Sequence, residues 1–277
     1  MIKMKKNGCF ACILFFTGSL FAATSDYKLV WADEFSRNGA PDPENWTFEH
    51  GHVRNHEAQW YQPENAFCTN GLLVIEGRRE RVPNTNFLPN SKHWATKWKF
   101  AKYTSSCLIT KGLHSWKYGR FEMRAKIDVR AGLWPAFWTL GVEGEWPDNG
   151  EVDIMEYYRG SLLANAFWGS GKRFQPRKNA AKKPLTELDD PDWADHFHIW
   201  RMDWNKDSIK LYVDDLLLNE IDLELTYNPP GHPIENPFRQ PHYLLVNLAI
   251  GGSAGGDPAE TDFPARYEID YVRVYQK

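Results

Sequence analysis

Three carboxylates fall within the run Glu151-Val-Asp-Ile-Met-Glu156, inside the longer stretch Asn149-Gly-Glu-Val-Asp-Ile-Met-Glu-Tyr-Tyr158. Val152, Ile154 and Met155 between them are apolar and mostly β-branched, so the run is expected to be a strand with one face in a core. Side chains alternate along a strand, which puts Glu151 and Asp153 on one face and Glu156 on the other. One extra residue at Ile154-Met155, a β-bulge, restores the parity and turns Glu151, Asp153, Glu156 and Tyr158 to the same side. Like charges crowded on one face push carboxyl pKa values apart, leaving one group ionised and another protonated. Glycoside hydrolysis needs that pair: one carboxylate attacks the anomeric carbon or activates water, and the other protonates the departing oxygen. A solvated edge strand with paired surface acids is the plainer alternative. It fits poorly beside Gly132-Leu-Trp-Pro-Ala-Phe-Trp138, a segment too aromatic to face plain water.

The elements that must position these residues read as β-structure. Leu72–Glu76, Tyr118–Ile127, His196–Trp204, Ser208–Val213, Tyr243–Leu248 and Tyr267–Tyr275 are short, branched or aromatic, and partly alternating. Asn70-Gly71, Asn205-Lys-Asp207 and Asp214-Asp215 between them fit hairpin turns. No helical periodicity is capped at both ends, and many evenly spaced strands imply an all-β sandwich. Lys3, Lys5 and Lys6 precede an apolar stretch from Cys9 to Leu20, and Leu20-Phe-Ala-Ala23 offers small residues for cleavage after Ala22 or Ala23. Residues 1–23 therefore read as an export signal, too short to span a membrane, for a protein of the periplasm, cell surface or exterior. Residues 24–277 contain no linker and no repeat, and are expected to form a single catalytic domain and a monomer.

Net charge is −3 with a pI near 6.3, so no basic stripe argues for nucleic acid or an anionic membrane, and the average disfavours a highly sulfated substrate. Cys68 and Cys107 follow the export signal; they could pair in an oxidising compartment or stay as two buried thiols. None of the nine histidines shows zinc spacing, and no cofactor is expected for catalysis. The 13 tryptophans exceed what a core of this size requires, and an indole suits the apolar C–H face of a sugar. Trp31, Trp200 and Trp204 sit in strand-like patterns and are expected in the core. Trp134 and Trp138, just before the carboxylate run, are expected to bind substrate.

The carboxylate run resembles glycoside hydrolase family 16. So do Trp116-Lys-Tyr-Gly-Arg-Phe-Glu122, Gly132-Leu-Trp-Pro-Ala-Phe-Trp138 and Tyr267-Glu-Ile-Asp-Tyr-Val-Arg-Val-Tyr275. The likeness runs from about Leu29 to Tyr275 and is to the laminarinase-like branch with the bulged motif. It implies a β-jelly roll of two curved antiparallel sheets whose concave face forms the cleft. It also implies that Glu151 is the nucleophile, Glu156 the general acid/base, and Asp153 the residue that tunes them. By the same likeness Asn55 in His52-Val-Arg-Asn-His-Glu-Ala-Gln-Trp60 contacts sugars, with Trp60 beside it. Glu34 and Asp270 match a structural calcium site.

Laminarinases commonly follow the catalytic strand with a His-Gly-containing strand. This chain has Leu163-Ala-Asn-Ala-Phe-Trp-Gly169, followed by Lys172-Arg-Phe-Gln-Pro-Arg-Lys178 and a polar stretch to Asp195. In this it resembles endo-β-galactosidases that cut internal β-1,4 bonds of N-acetyllactosamine-type chains in mucin O-glycans. That substrate is expected, with Trp168 and Trp138 as sugar platforms. An endo-β-1,3-(1,4-)glucanase is the alternative, and a jelly-roll lectin a further one, although binding alone gives no reason for the carboxylate row. Asn84–Asn90 and Pro229–Pro237 are candidate cleft walls.

Overall fold

The computed structural model describes residues 26–277; the expected export signal at 1–23 lies outside them. Two antiparallel sheets face each other. One runs in the order Leu216–Asp222, Ser208–Val213, His198–Trp204, Gly119–Lys126, Ala265–Gln276, Leu72–Gly77 and Ala66–Thr69, with Lys28–Asp33 also paired to Ala265–Gln276. The other runs Arg177–Pro184, Ser161–Trp168, Glu151–Tyr158, Leu133–Gly141, His242–Ile250, Cys107–Ile109 and Thr47–Phe48. This is the β-jelly-roll sandwich expected from the sequence.

The alternation in Gly119–Lys126 shows how the first sheet is built. Phe121, Met123 and Ala125 point into the core, while Arg120, Glu122 and Arg124 lie on the outer face. Arg120 pairs with Asp203, and Arg124 with Asp270, each at 2.7 Å. Between the sheets, Phe121, Trp200 and Val272 pack with Phe137, Ile154 and Val246 in one apolar cluster. Each such side chain contributes on the order of 1.5–3 kcal/mol of transfer free energy. Trp200 and Trp204 are buried as expected, and Trp31 packs half-buried against the same cluster.

The central strands of the second sheet are buried on both faces: every residue of His242–Ile250 is buried. Its core face meets the first sheet. On its other face Ala136, Trp138, Tyr243 and Leu245 gather around Tyr61 and Cys107 in a second apolar cluster, from which Trp138 reaches the cleft. Asn70-Gly71 makes a hairpin with both residues at positive φ, 53° and 76°, and Arg159-Gly160 does the same at 48° and 77°. That second hairpin fixes the register of Ser161–Trp168 against the carboxylate strand, pairing Tyr158 with Ser161. The polar segment after Lys172 holds a strand not expected from its composition, Arg177–Pro184. As the edge of its sheet it has no need of an apolar alternation.

Cys68 lies in the outer sheet and Cys107 in the cleft sheet; both are buried free thiols. No helix among the described residues is long and apolar enough to cross a membrane.

Candidate active site

The expected bulge is present. On one side Phe137 pairs with Met155 and Trp138 with Asp153; on the other Asn165 pairs with Asp153 and Leu163 with Glu156. Ile154 is the extra residue. Val152, Ile154, Met155 and Tyr157 all enter the core, which fixes the strand's orientation through about four buried apolar side chains. Glu151, Asp153, Glu156 and Tyr158 are thereby turned to the opposite face, where all four line a cleft of about 560 Å³.

Each carboxylate accepts a hydrogen bond, and one donor is shared between two of them. Glu151 accepts a hydrogen bond from the Trp146 indole N–H. Glu156 Oε1 accepts from Trp134 Nε1 at 2.8 Å, and the Asn165 amide reaches Asp153 Oδ2 at 3.0 Å and Glu156 Oε2 at 3.2 Å. Burial pushes Glu151 up to about 7, helped by the nearby Glu156 charge and opposed by the Trp146 hydrogen bond. Burial also raises Glu156, against the hydrogen bonds from Asp153, Trp134 and Asn165. Asp153, 2 % exposed, is held well above the ordinary carboxyl range by burial and by the charges of Glu156 and Glu151 on either side. The middle carboxyl is therefore the one whose surroundings most favour its protonated form, and its one O–H is directed to Glu156.

The loops position the remaining groups. Trp146 sits on the turn joining Leu133–Gly141 to Glu151–Tyr158. That turn is tied by Asn149 N to Glu145 O at 3.1 Å and by Asn149 Nδ2 to Gly141 O at 3.1 Å. Asn228 Nδ2 holds Asp148 O at 2.7 Å. From the Pro229–Pro237 segment, His232 faces Asp148 of the same turn at 3.5 Å, so the segment buttresses the turn and does not line the cleft. Arg54 is ion-paired with Glu49 and lies 5.0 Å over the Trp138 ring. It brings a fixed positive charge to the cleft that lowers Glu151.

Of the expected sugar-binding residues, Asn55, Trp134 and Trp138 line the cleft. Trp138 Nε1 is held by Asn247 Oδ1 at 2.7 Å, which leaves its ring as a rigid surface. Trp60 and Trp168 do not line it. In Gln59–Tyr61 the two flanking side chains are buried, 1 % and 0 % exposed, and alternation sends Trp60 the other way, onto His52 at 5.6 Å. Trp168 is in the core against Phe238, because Asn165 and Phe167 take the cleft face of their strand. The residue opposite Glu151 is Phe167.

Asn165, Phe167 and Arg54 belong to segments the sequence singled out, but nothing local marks them as cleft residues. Trp146 and Phe174 were not singled out for a role; their rings stack at 6.4 Å beside Glu151. The expected calcium ligands are committed elsewhere. Glu34 makes a two-point pair with Arg273 at 2.7 and 2.8 Å, and Asp270 pairs with Arg124. No group of three or more acidic, His or Cys side chains suited to a metal exists among the described residues. These side chains do not fit a calcium site, since guanidinium charges already neutralise them.

The profile of glycosyl hydrolases family 16 matches residues 52–273. A beta-glucanase of Rhodothermus marinus is 35 % identical, with 90 % of this chain and 85 % of that protein covered. A solved structure from work on endo-acting O-glycanases, which prominent members of the human gut microbiota express to initiate mucin breakdown, superposes with a TM-score of 0.81. It is 35 % identical, and 90 % of this chain and 91 % of that one are covered. The laminarinase catalytic domain of Thermotoga maritima superposes with a TM-score of 0.76 at 34 % identity, covering 91 % and 99 %. With the carboxylate row, its bulge and its cleft in place, this chain belongs to glycosyl hydrolases family 16 and is a glycosidase.

Proposed function

We propose that the protein is a retaining endo-β-glycoside hydrolase that cuts internal β-1,4-galactosidic bonds in N-acetyllactosamine-type chains of mucin O-glycans. The ionised Glu151 attacks the anomeric carbon, the glycosidic C–O bond breaks, and Glu156 gives its proton to the leaving oxygen. A water then loses a proton to Glu156 and attacks the same carbon, releasing the sugar from Glu151. Asp153, holding a proton between the two, passes it to Glu156 so that the acid is protonated and neutral when the first step begins. Trp146 steadies the nucleophile's charge, and Trp134 and Asn165 fix the oxygens of the acid.

The galactosidic specificity is carried by the strand beside the carboxylates. It has Ala164-Asn-Ala-Phe-Trp168 where a His-Gly-containing strand is common in laminarinases, and Asn165 and Phe167 from it face the cleft. The likeness to the O-glycanase structure supports the same reading. Likeness to the Rhodothermus beta-glucanase and the Thermotoga laminarinase favours a second reading, an endo-β-1,3-(1,4-)glucanase. A glucoside and a galactoside differ in one hydroxyl orientation, and a few hydrogen bonds decide between them.

Product analysis against mucin O-glycans, laminarin and mixed-linkage β-glucan separates these readings. Faster release from mucin O-glycans, with the β-anomer formed first by NMR, is the expected result. Faster release from laminarin sinks the galactosidic reading, and an initial α-anomer sinks the double displacement.

A further inference from the structure

The loop that gives Arg54 and Asn55 to the catalytic cleft gives His52, His56, Glu57 and Ala58 to a second cavity of about 440 Å³. Asn55 and His56 are both left-handed, at φ 54° and 55°. Two such residues in succession are strained and persist only where the surroundings hold them. Here Ser253 N grips Asn55 O at 2.8 Å, and Gly252 packs so closely that a Cβ on it would lie 2.9 Å from that oxygen. The chain is thus held where it serves both cavities at once.

The opposite wall of the second cavity is aromatic. Trp94 lies 5.7 Å from His52 and 5.2 Å from His56, and Trp98, 62 % exposed, stands beside it with the Lys97 ammonium 5.1 Å from its ring. The loop carrying them is ordered by one buried side chain. Asn84, 5 % exposed, donates from Nδ2 to Ala95 O and Trp98 O, each at 2.9 Å, and its backbone N–H bonds Lys99 O at 3.0 Å. Leu88 N to Thr96 O and Ser91 Oγ to Thr96 Oγ1 close the loop further, at 3.0 and 2.7 Å. A large indole kept in water on a pinned loop is unfavourable for the isolated protein, and points to a ligand with an apolar face.

We propose that this cavity is an additional carbohydrate subsite, holding a hexose unit of the same chain that occupies the cleft, several units from the cleaved bond. Trp94 and Trp98 offer platforms for the sugar's C–H faces, and His56, Lys97 and Lys102 supply donors for its hydroxyls. The two cavities share one loop, so a chain that passes Asn55 continues directly against Trp94. The proposal rests on the glycosidase assignment and on neither choice of sugar.

The test compares Trp98→Ala and Trp94→Ala with the parent on oligosaccharides of increasing length, taken from whichever glycan series the parent cleaves. Trp98 is exposed enough that its removal leaves the fold intact, so an unstable Trp94 variant does not decide the matter. Unchanged kcat/KM on the shortest cleaved substrates, with a loss of about five- to tenfold on the longest, is expected. Titration of long oligosaccharides into Glu151→Gln, with and without Trp98→Ala, should show the same loss in affinity. Equal effects on short and long substrates, or no effect on either, overturn the subsite whichever sugar proves to be the substrate.

Discussion

Trp134 and Glu156 come from adjacent antiparallel strands, and the indole N–H of the first holds Oε1 of the second at 2.8 Å. The bond couples a cleft-lining aromatic to the proposed acid/base carboxyl, so one side chain both lines the cleft and lowers the proton affinity of that group. Hydrogen bonds to charged groups are worth about 1.5–3 kcal/mol. Trp134→Phe keeps the ring and removes the donor. The Glu156 pKa should rise further, moving the basic limb of the kcat/KM pH profile upward by about one unit or more. An unmoved basic limb would separate Glu156 from that limb.

Glu151→Gln and Glu156→Gln should each lower kcat by about a thousandfold or more while the protein still binds substrate, since each removes an interaction made only in the transition state. Binding is read by titration and turnover by reducing-end release. Near-parent turnover in either variant would remove it from the mechanism.

Asp153 behaves differently from a simple charged neighbour. The family resemblance makes it the residue that tunes the two Glu, and burial between two carboxylates favours the protonated form of Asp153 itself. Asp153→Asn can still donate a hydrogen bond but cannot release a proton. A fall in kcat of about ten- to a hundredfold, with a displaced basic limb, is expected. A pH profile superimposable on the parent's would argue against proton exchange with Glu156.

Burial raises Glu151 to about 7 in the folded protein. The folded state then binds more protons than the unfolded chain between about pH 4.5 and 7, so stability falls as pH rises through that window. Above it, the buried charge costs on the order of 3 kcal/mol. Glu151→Gln should therefore raise Tm at pH 8, with the gain shrinking towards pH 4. Calorimetry at the two pH values checks this, and a gain independent of pH would contradict it.

Phe167 and Trp168 are adjacent but face opposite sides. Trp168→Ala should destabilise the fold by about 3–5 kcal/mol, as a buried aromatic truncation does. Phe167→Ala should change stability little and raise KM. Denaturant unfolding beside steady-state kinetics distinguishes the two, and a KM effect confined to Trp168→Ala would reverse the assignment.

The carboxylate row was legible because it follows from counting: a strand period of two, three acids, and the one extra residue needed to align them. The same arithmetic identified the principal strands and the turns at Asn70-Gly71 and Asp214-Asp215, whose residues tolerate positive φ. Parity cannot be counted across a turn whose register is unknown, and so Trp168 was expected where Phe167 stands. Arg177–Pro184 escaped for a related reason, since an edge strand is defined by its single neighbour and carries no apolar alternation of its own. The donors to the carboxylates come from Trp134 and Asn165 on neighbouring strands and from Trp146 on a turn pinned by Asn228 far along the chain. Local sequence determined which groups could do the chemistry, because that depends on residue type and strand period. Which proton each group holds was decided only by the tertiary structure, because burial and the distance between charges arise when the sheets pack.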